Sequence, residues 1–515
     1  MSYFSNENRF KDLIEKPKDI TALLEDKMLL ISGDFYGIQK FIFDRLSTKN
    51  ASKVLRAKSA YIQIFTEYLA RYICHELAIK EASIVSMNAG KFEILSSKID
   101  VDLDVIQKTV DDFFIKNFYG LSGVMISSVE CQRDDFVDVK KYKALRKKII
   151  DSVEDRKFQK FNLFKEEAYS LLSYDTNLDN TSLCPVCNIR KVEAKKENCS
   201  ICDGFIELGK KLSFEHIDEL VDSDKLGMKF DDFVIDIELS SKIKSYILFD
   251  SRSPAEFKVL ADNACKESET GIKSLAILKA DVDNMGKFLE KSDVTDSFEN
   301  FDTFSKTMDS FFSVYIPNMM KTKSPNTYTV FAGGDDLFLL GAWDEVLKMA
   351  REIEREFKAF VKSDELSISF GIAIAKPSTP ISYLADYTEK LLEDAKGIDE
   401  EKEVKHPKDA ISLFGETVKW KEYQDAHKKL DELFKGFETV NMATLYSLLT
   451  FCDMAKNINE DIRNTMWKSK LNYLFSRNID KSFHYILEGL NDSIEKYPKA
   501  TKMFLSEFIY KRRDV

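Results

Sequence analysis

Two stretches of the chain share one rhythm of apolar and polar positions. The first begins Met28-Leu-Leu-Ile-Ser-Gly33-Asp34 and continues Phe-Tyr-Gly37-Ile-Gln-Lys40-Phe41. The second begins Ser274-Leu-Ala-Ile-Leu-Lys-Ala280-Asp281 and continues Val-Asp283-Asn284-Met-Gly286-Lys287-Phe288. In each, a short apolar run closes on an aspartate, a turn follows, and Lys-Phe opens a helical spacing. Runs this short and this rich in Ile and Leu predict a buried strand leading into a helix. Each copy then has a second landmark. These are Ser83-Ile-Val-Ser-Met-Asn88-Ala89-Gly90-Lys91-Phe-Glu-Ile-Leu95 and Tyr328-Thr-Val-Phe-Ala332-Gly333-Gly334-Asp335-Asp336-Leu-Phe-Leu-Leu340. Both read as a hairpin whose glycines admit positive φ and close backbone approach. Asp34 and Gly90 lie 56 positions apart and Asp281 and Asp335 lie 54 apart, so two copies of one α/β unit are expected.

The pattern changes around the copies. Residues 1–27 form a short lead, 28–175 the first unit, 176–270 an insert and 271–415 the second unit. The charged stretch from Asp399 to Pro407 reads as exposed. From 416 to 515 Gly and Pro nearly vanish, and apolar residues recur at three and four (Leu430, Leu433, Phe434, Phe437, then Leu445, Leu448, Leu449), predicting a helical bundle.

Composition narrows the class. The 76 Lys+Arg fall short of the 87 Asp+Glu, a net charge of −11, which argues against a uniformly basic nucleic-acid coat protein. At 44% apolar and 12% aromatic, the 515 residues can bury large cores. No run approaches the roughly 20 apolar residues of a membrane span, and MSYFSNENRFKDL lacks the apolar core of a signal peptide. A cytoplasmic protein is expected, with no membrane partner.

Four of the eight cysteines cluster as Cys184-Pro-Val-Cys187 and Cys199-Ser-Ile-Cys202. A redox CxxC would explain one pair, whereas two knuckles complete a closed tetrahedral Zn²⁺ site of structural type. Gly204-Phe-Ile-Glu-Leu-Gly209-Lys210-Lys211 has the spacing of a phosphate-binding loop, but it ends in Lys and carries bulky Phe205 and Ile206. It is set aside.

If the second sheet closes, Asp281, Asp283, Asp335 and Asp336 converge at one end of adjacent strands. The acids read either as solvated turns or as a metal site, and Gly-Gly-Asp-Asp between two apolar strands favours the metal. Carboxylates packed this closely repel by several kcal/mol unless cations neutralise them. Oxygen ligands select Mg²⁺ or Mn²⁺, and two such ions about 4 Å apart serve nucleotidyl transfer. The first copy keeps Asp34 but has Asn88-Ala89-Gly90-Lys91 in place of the acids. It is expected to hold no such metals, and reads either as a nucleotide holder or as a structural half of a pseudo-dimer.

Together, Gly333-Gly334-Asp335-Asp336, Asp281-Val-Asp283-Asn284, the four-cysteine insert and Gly33-Asp34…Gly37-Ile38-Gln39-Lys40-Phe41 resemble the large subunit of type III CRISPR effector complexes of the Csm type. The likeness runs from about residue 28 onward. It implies an α+β fold of two ferredoxin-like palm domains, of the GGDEF and polymerase-palm kind, with a zinc-binding insert and a C-terminal helical bundle. It also implies synthesis of cyclic oligoadenylates from ATP on binding of target RNA, with guide RNA and other Csm-type subunits as partners. Asp281, Asp335 and Asp336 would be catalytic and bind two Mg²⁺ or Mn²⁺ ions, with the Val282 carbonyl as a further ligand. Nucleotide contacts would come from Asp283, Asn284, Gly333, Gly334, Asp34, Ser305, Ser59 and Lys396, the last reaching a triphosphate. Ser367-Ile-Ser-Phe-Gly371 through Pro377 and Ala385 to Lys396 resemble the family's closing strand and helix. Many family members begin with an HD nuclease domain. None of His75, His216, His406, His427 and His484 precedes an Asp, so HD-type DNase activity is not expected. Two alternatives stand beside this reading: a GGDEF-like cyclase acting alone on GTP, and a catalytically silent scaffold.

Overall fold

A computed structural model describes residues 3–43, 46, 50–88, 90–161, 183–193, 195–212, 220–238, 256–266, 268, 270–398, 408–435, 437 and 440–513. The expected boundary at 175/176, the stretch 399–407, Ala89, His216 and His406 lie outside these residues. Among the described residues, no helix is long and apolar enough to cross a membrane.

The first unit pairs β1 (Met28–Tyr36), β2 (Ile84–Asn88), β3 (Lys91–Ser96) and β4 (Gly123–Cys131) in the order β2-β3-β1-β4. Every neighbouring pair is antiparallel, the strand order of a ferredoxin-like βαββαβ unit. Alternation sorts β1 between two cores. Leu29, Ile31 and Phe35 pack with the helix Ala51–Glu76, while Met28 and Leu30 pack with the helix Val139–Lys157.

In the insert, the helix Ser200–Lys211 follows the second cysteine knuckle, and β5 (Leu220–Asp222) pairs with β6 (Asp236–Glu238). This helix lies directly against the helix Ala51–Glu76. A Cβ added at Gly209 would strike the Lys53 carbonyl, so the approach requires a residue without a side chain.

The second unit repeats the first. β7 (Leu275–Asp283), β8 (Thr327–Gly333), β9 (Asp336–Ala342) and β10 (Ser367–Ala375) take the order β10-β7-β9-β8. Two further strands, β11 (Ala410–Leu413) and β12 (Glu416–Lys419), extend the sheet beyond β10, with β11 parallel to β10. The sheet therefore runs past the expected boundary at 415, because β12 pairs along β11. Leu275 and Ile277 face the first unit, whereas Ala276, Leu278, Ala280 and Val282 pack on the helix Trp343–Phe360.

The N-terminal lead is not a free arm. Phe4 stacks on Phe360, Phe10 meets the same ring edge-on, and Phe4 bridges to Val361 of the second unit. The C-terminal residues form five helices among those described: Trp420–Leu433, Met442–Lys456, Trp467–Asn478, Tyr485–Lys496 and Pro498–Arg512. An ion cluster around the buried Glu507 fastens this bundle to the second unit. Arg351 donates to Glu507 and to the Tyr423 hydroxyl, each at 3.0 Å, and Lys511 reaches Glu507 at 2.7 Å. His427 Nε2 lies 3.7 Å from the same Glu507 carboxylate.

The two units face each other. Phe43 packs on Phe338 with ring centroids 4.5 Å apart, the Arg56 guanidinium lies 5.1 Å over the Tyr328 ring, and Arg146 lies 4.2 Å over Phe301.

Candidate active site

Strand register assembles the acids. Asp281 on β7 is the direct partner of Asp336 on β9, and Gly333 on β8 pairs with the same Asp336. The two turn residues between those strands are Gly334 and Asp335. Gly334 has φ +64, a conformation that costs a side-chain-bearing residue about 1 kcal/mol or more. Its N–H donates to Asp309 Oδ1 at 3.0 Å, so the helix Phe298–Ser310 braces the turn. The Asp335 carbonyl accepts from the Val282 N–H at 3.1 Å, tying the turn to the end of β7.

Asp281, Asp335 and Asp336 thus meet at one sheet end. Burial, and then the neighbouring Asp281 charge, push the Asp335 carboxyl above its usual range. The same two causes, in the same order, raise Asp336, which also shares a hydrogen bond with Asp281. Three carboxylates crowded at one sheet end are a hard oxygen-donor set, and this fits Mg²⁺ or Mn²⁺. The Lys396 ammonium, at the end of the helix Ile381–Lys396, bonds Asp281 Oδ2.

Two expected members are not brought to the cluster. Asp283 shares a strand face with Asp281, but β10 covers it. Its Oδ2 accepts from the hydroxyls of Ser367 and Ser369, both at 2.8 Å, and from the Asp409 N–H at 3.0 Å. Fully buried, it has no open side for a nucleotide, and desolvation raises its pKa. Asn284, at φ +62, lines a separate cavity of about 750 Å³ with Lys287, Lys291 and Lys358.

The open side of the cluster faces the first unit. A cavity of about 830 Å³ lies between them, lined by Tyr36, Lys40, Lys157, Lys160, Lys279 and Asp336 among others. Ser305 reaches across the same interface, its Oγ accepting from Asn88 Nδ2 at 3.2 Å. Ser59, on the helix Ala51–Glu76, is buried, and its hydroxyl has no hydrogen-bond partner among the described residues. Asp34 sits beside the cavity, bonded to Lys157 Nζ at 2.8 Å and 3.9 Å from Lys91 Nζ. Asp309, Lys91 and Lys157 were not singled out from sequence as contributors. The lysine ending the helix after the fourth strand of both copies is the signal that points to Lys157.

In the insert, the four thiol sulfurs of Cys184, Cys187, Cys199 and Cys202 lie within 4.8 Å of one another and are buried. Cys187 and Cys199 sulfurs are 4.0 Å apart, and the Cys199 N–H donates to Cys184 Sγ at 3.4 Å. A closed all-sulfur set of this size fits a structural Zn²⁺.

Two ferredoxin-like units facing one cavity, with acids on one wall, define a two-palm protein. Residues 274–406 match the family model of the Cas10/Cmr2 second palm domain, and residues 27–174 match that of Csm1 subunit domain B. The chain belongs to the Cas10/Csm1 family, the large subunits of type III-A CRISPR systems. It is 26% identical to a Methanocaldococcus jannaschii relative over 83% of this chain and 65% of that one. It is 23% identical to a Streptococcus thermophilus relative over 95% of this chain and 66% of that one. Both relatives are named CRISPR system single-strand-specific deoxyribonuclease Cas10/Csm1, subtype III-A, and the chain spans about two thirds of their length. Among solved structures, it is similar in fold to a Csm1–Csm4 cassette in complex with cA4, at 19% identity and a TM-score of 0.67. That match covers 95% of this chain and 70% of the other. A Csm1–Csm4 cassette in complex with one ATP gives 18% identity and a TM-score of 0.68 over the same shares.

Proposed function

We propose that this chain is a metal-dependent nucleotidyltransferase that joins ATP into cyclic oligoadenylates when its CRISPR complex engages target RNA. The carrying observation is the convergence of Asp281, Asp335 and Asp336 beside the inter-palm cavity. These three carboxylates, with the Val282 carbonyl as a further oxygen, would hold two Mg²⁺ or Mn²⁺ ions. When bound, such ions neutralise phosphate charge and favour ionisation of a ribose 3′-hydroxyl.

The rest of the reading concerns the chain's own groups. Lys396, already beside Asp281, is placed to meet the phosphates of a donor nucleotide as a point charge. Gly333 and Gly334 keep the hairpin free of side chains where a nucleotide approaches. Ser305 offers a hydroxyl from the second palm to an adenine or a phosphate, whereas the Ser59 hydroxyl is enclosed and is not open to either. The facing units bring a 3′-oxygen and an α-phosphorus together so that, as the 3′-hydroxyl loses its proton, the new P–O bond forms while the α–β anhydride bond breaks and pyrophosphate leaves, with no covalent intermediate on the protein. The four-cysteine knuckle holds zinc as a structural ion. A Csm4-like subunit, guide RNA and target RNA are the proposed partners, of which the Csm1–Csm4 cassettes support the first.

The test is product analysis. The complex assembled with its partner subunits and guide RNA receives labelled ATP or labelled GTP, with and without matching target RNA. ATP-derived rings formed only with target RNA, and lost in Asp335→Ala plus Asp336→Ala, are expected. Rings from GTP in the isolated chain would mark a stand-alone cyclase, and no product under any condition would mark a scaffold. Either result overturns the proposal.

A further inference from the structure

The two palms align by strand register, and one carries a strand that the other lacks. β3 sets Lys91 opposite Asp34 where β9 sets Asp336 opposite Asp281. On the other side, β4 sets Met125 opposite Asp34 where β10 sets Ser369 opposite Asp281. Ile126 of the first palm therefore answers Phe370 of the second. Phe370 is where β11 begins to pair, parallel to β10, and β12 closes outside it. Among the described residues the first palm has no such addition, and β4 is the edge of its sheet.

That edge is half satisfied. The Phe35 N–H donates to the Gly90 carbonyl on the β3 side at 2.7 Å, so the alternate residues Leu30, Ser32 and Asp34 are the ones that bond β4. Their partners Val129, Ser127 and Met125 turn inward, and Val124, Ile126, Ser128 and Glu130 turn outward. Gln107, from the helix Leu103–Phe118, covers the first two of these. Its Nε2 donates to the Val124 carbonyl at 2.9 Å, and its Oε1 accepts from the Ile126 N–H at 2.8 Å. One side-chain amide thus stands in for one rung of a neighbouring strand. Ser128 and Glu130 have no strand beside them among the described residues.

Past Gln107 the edge opens into a cleft of about 1030 Å³ between β4 and the helix Val139–Lys157. In the second palm β11 fills the matching place, beside β10 and against the helix Ile381–Lys396. Two anchors fix the direction of the first-palm helix: Lys157 on Asp34, and Ser152 Oγ at 2.5 Å from Ser127 Oγ. It runs back along β4, which puts Asp155 at the Ile126 end of the cleft and Lys147 and Lys148 at the Glu130 end. β4 keeps one register throughout and contains no proline, so it lacks two of the devices that blunt an exposed edge.

We propose that this cleft receives an extended segment of a partner protein, which joins the first palm as a fifth strand, parallel to β4 and hydrogen-bonded to Ser128 and Glu130. Main-chain bonds supply the affinity, and the lining charges select a segment whose basic residue precedes its acidic one. The second palm carries the equivalent strand in its own chain. The inference stands apart from the nucleotidyl-transfer reading and reads no product of it.

Hydrogen exchange and binding test it. In the isolated chain the Ser128 and Glu130 amides are expected to exchange at least about a hundredfold faster than those of Ser127 and Val129. Each partner subunit of the complex, purified singly, and a single-stranded RNA are then added in turn. One protein subunit should slow both outward amides to the rate of their inward neighbours, and RNA should leave them unchanged. Ser128→Pro removes an outward N–H and spares the ladder to β1, so it should weaken that subunit's binding about tenfold or more. Ser128→Thr should bind as the wild type does. If the proline variant misfolds, Lys147→Glu with Lys148→Glu reads the same cleft and should also lose about tenfold. Slow exchange of both amides in the isolated chain overturns the inference, because the chain would then cover its own edge. Protection by RNA alone, protection by no added subunit, or undiminished binding in the folded variants overturns it equally.

Discussion

Asp34 and Asp281 hold one position in two copies of one fold, and each is paired with a helix-terminal lysine. Around them the copies have diverged in opposite directions. The second palm surrounds its aspartate with two more acids, raised in pKa by burial and then by the Asp281 charge. The first surrounds its aspartate with cations, Lys157 and Lys91. The lesson is that one change of sign, Asp336 against Lys91 at matched register, converts a wall that gathers cations into one that supplies them. Lys91 is also close enough to draw the Asp335 carboxyl downward, so the cationic wall acts across the interface. The backs of the palms differ too, since the first leans on the cysteine insert and the second on the C-terminal bundle.

The sharpest way to break this comparison is to make the same substitution twice. Asp281→Asn is expected to lower oligoadenylate formation by roughly 10²–10³-fold, the usual scale for removing one group that stabilises developing charge. Asp34→Asn should cost about tenfold or less, since it loosens only the lysine it orients. Ring product per complex from ATP with target RNA measures both. Equal losses would erase the distinction between the palms.

A second test addresses the backs. Cys199→Ser, which opens the sulfur set, should destabilise the insert by several kcal/mol, in keeping with structural zinc sites. Hydrogen exchange is expected to rise first in the helices Ser200–Lys211 and Ala51–Glu76, while β7 to β10 keep their protection. Uniform loosening of both palms would show that the insert does not belong to the first alone.

The smallest effect is one of pH at the bundle. Burial pushes His427 down to about 4, against the opposing pull of Glu507. The unfolded chain binds this proton near pH 6.5 and the folded one only near 4, so the contribution is complete above about 6.5. It is lost as pH falls through that window, by up to roughly 3 kcal/mol. Glu507, held well below its usual range by Arg351 and Lys511 despite its burial, yields only at lower pH. The melting temperature should therefore fall less between pH 7.5 and 5 in His427→Gln than in the wild type. Identical slopes would remove His427 from the account.

The repeat was legible because each copy needs the same buried strand closing on an aspartate, and the cysteine knuckles because ligand spacing is short-range. The resemblance to the type III large subunit also holds. Asp283 was harder to read. Period-two alternation puts it on the face of Asp281, but only the arrival of β10, 84 residues later, decides that Ser367 covers it. The Asp34–Lys157 pair spans 123 residues, and its one signal is the parallel with Lys396 at the end of the matching helix. The docking of Phe4 and Phe10 on the second palm, and the addition of β11 and β12, are likewise products of tertiary contact.

The contact at Gly209 carries a consequence for the order of assembly. During synthesis the first palm and the cysteine knuckles leave the ribosome before β8 exists, and domains generally fold as units from the N-terminal side. The helix Ala51–Glu76 can thus be clamped by the insert, at Lys53, before Tyr328 arrives to cover Arg56 one turn further along. Metal capture in the insert would then act as an early checkpoint, setting the seat on which the second palm later lands.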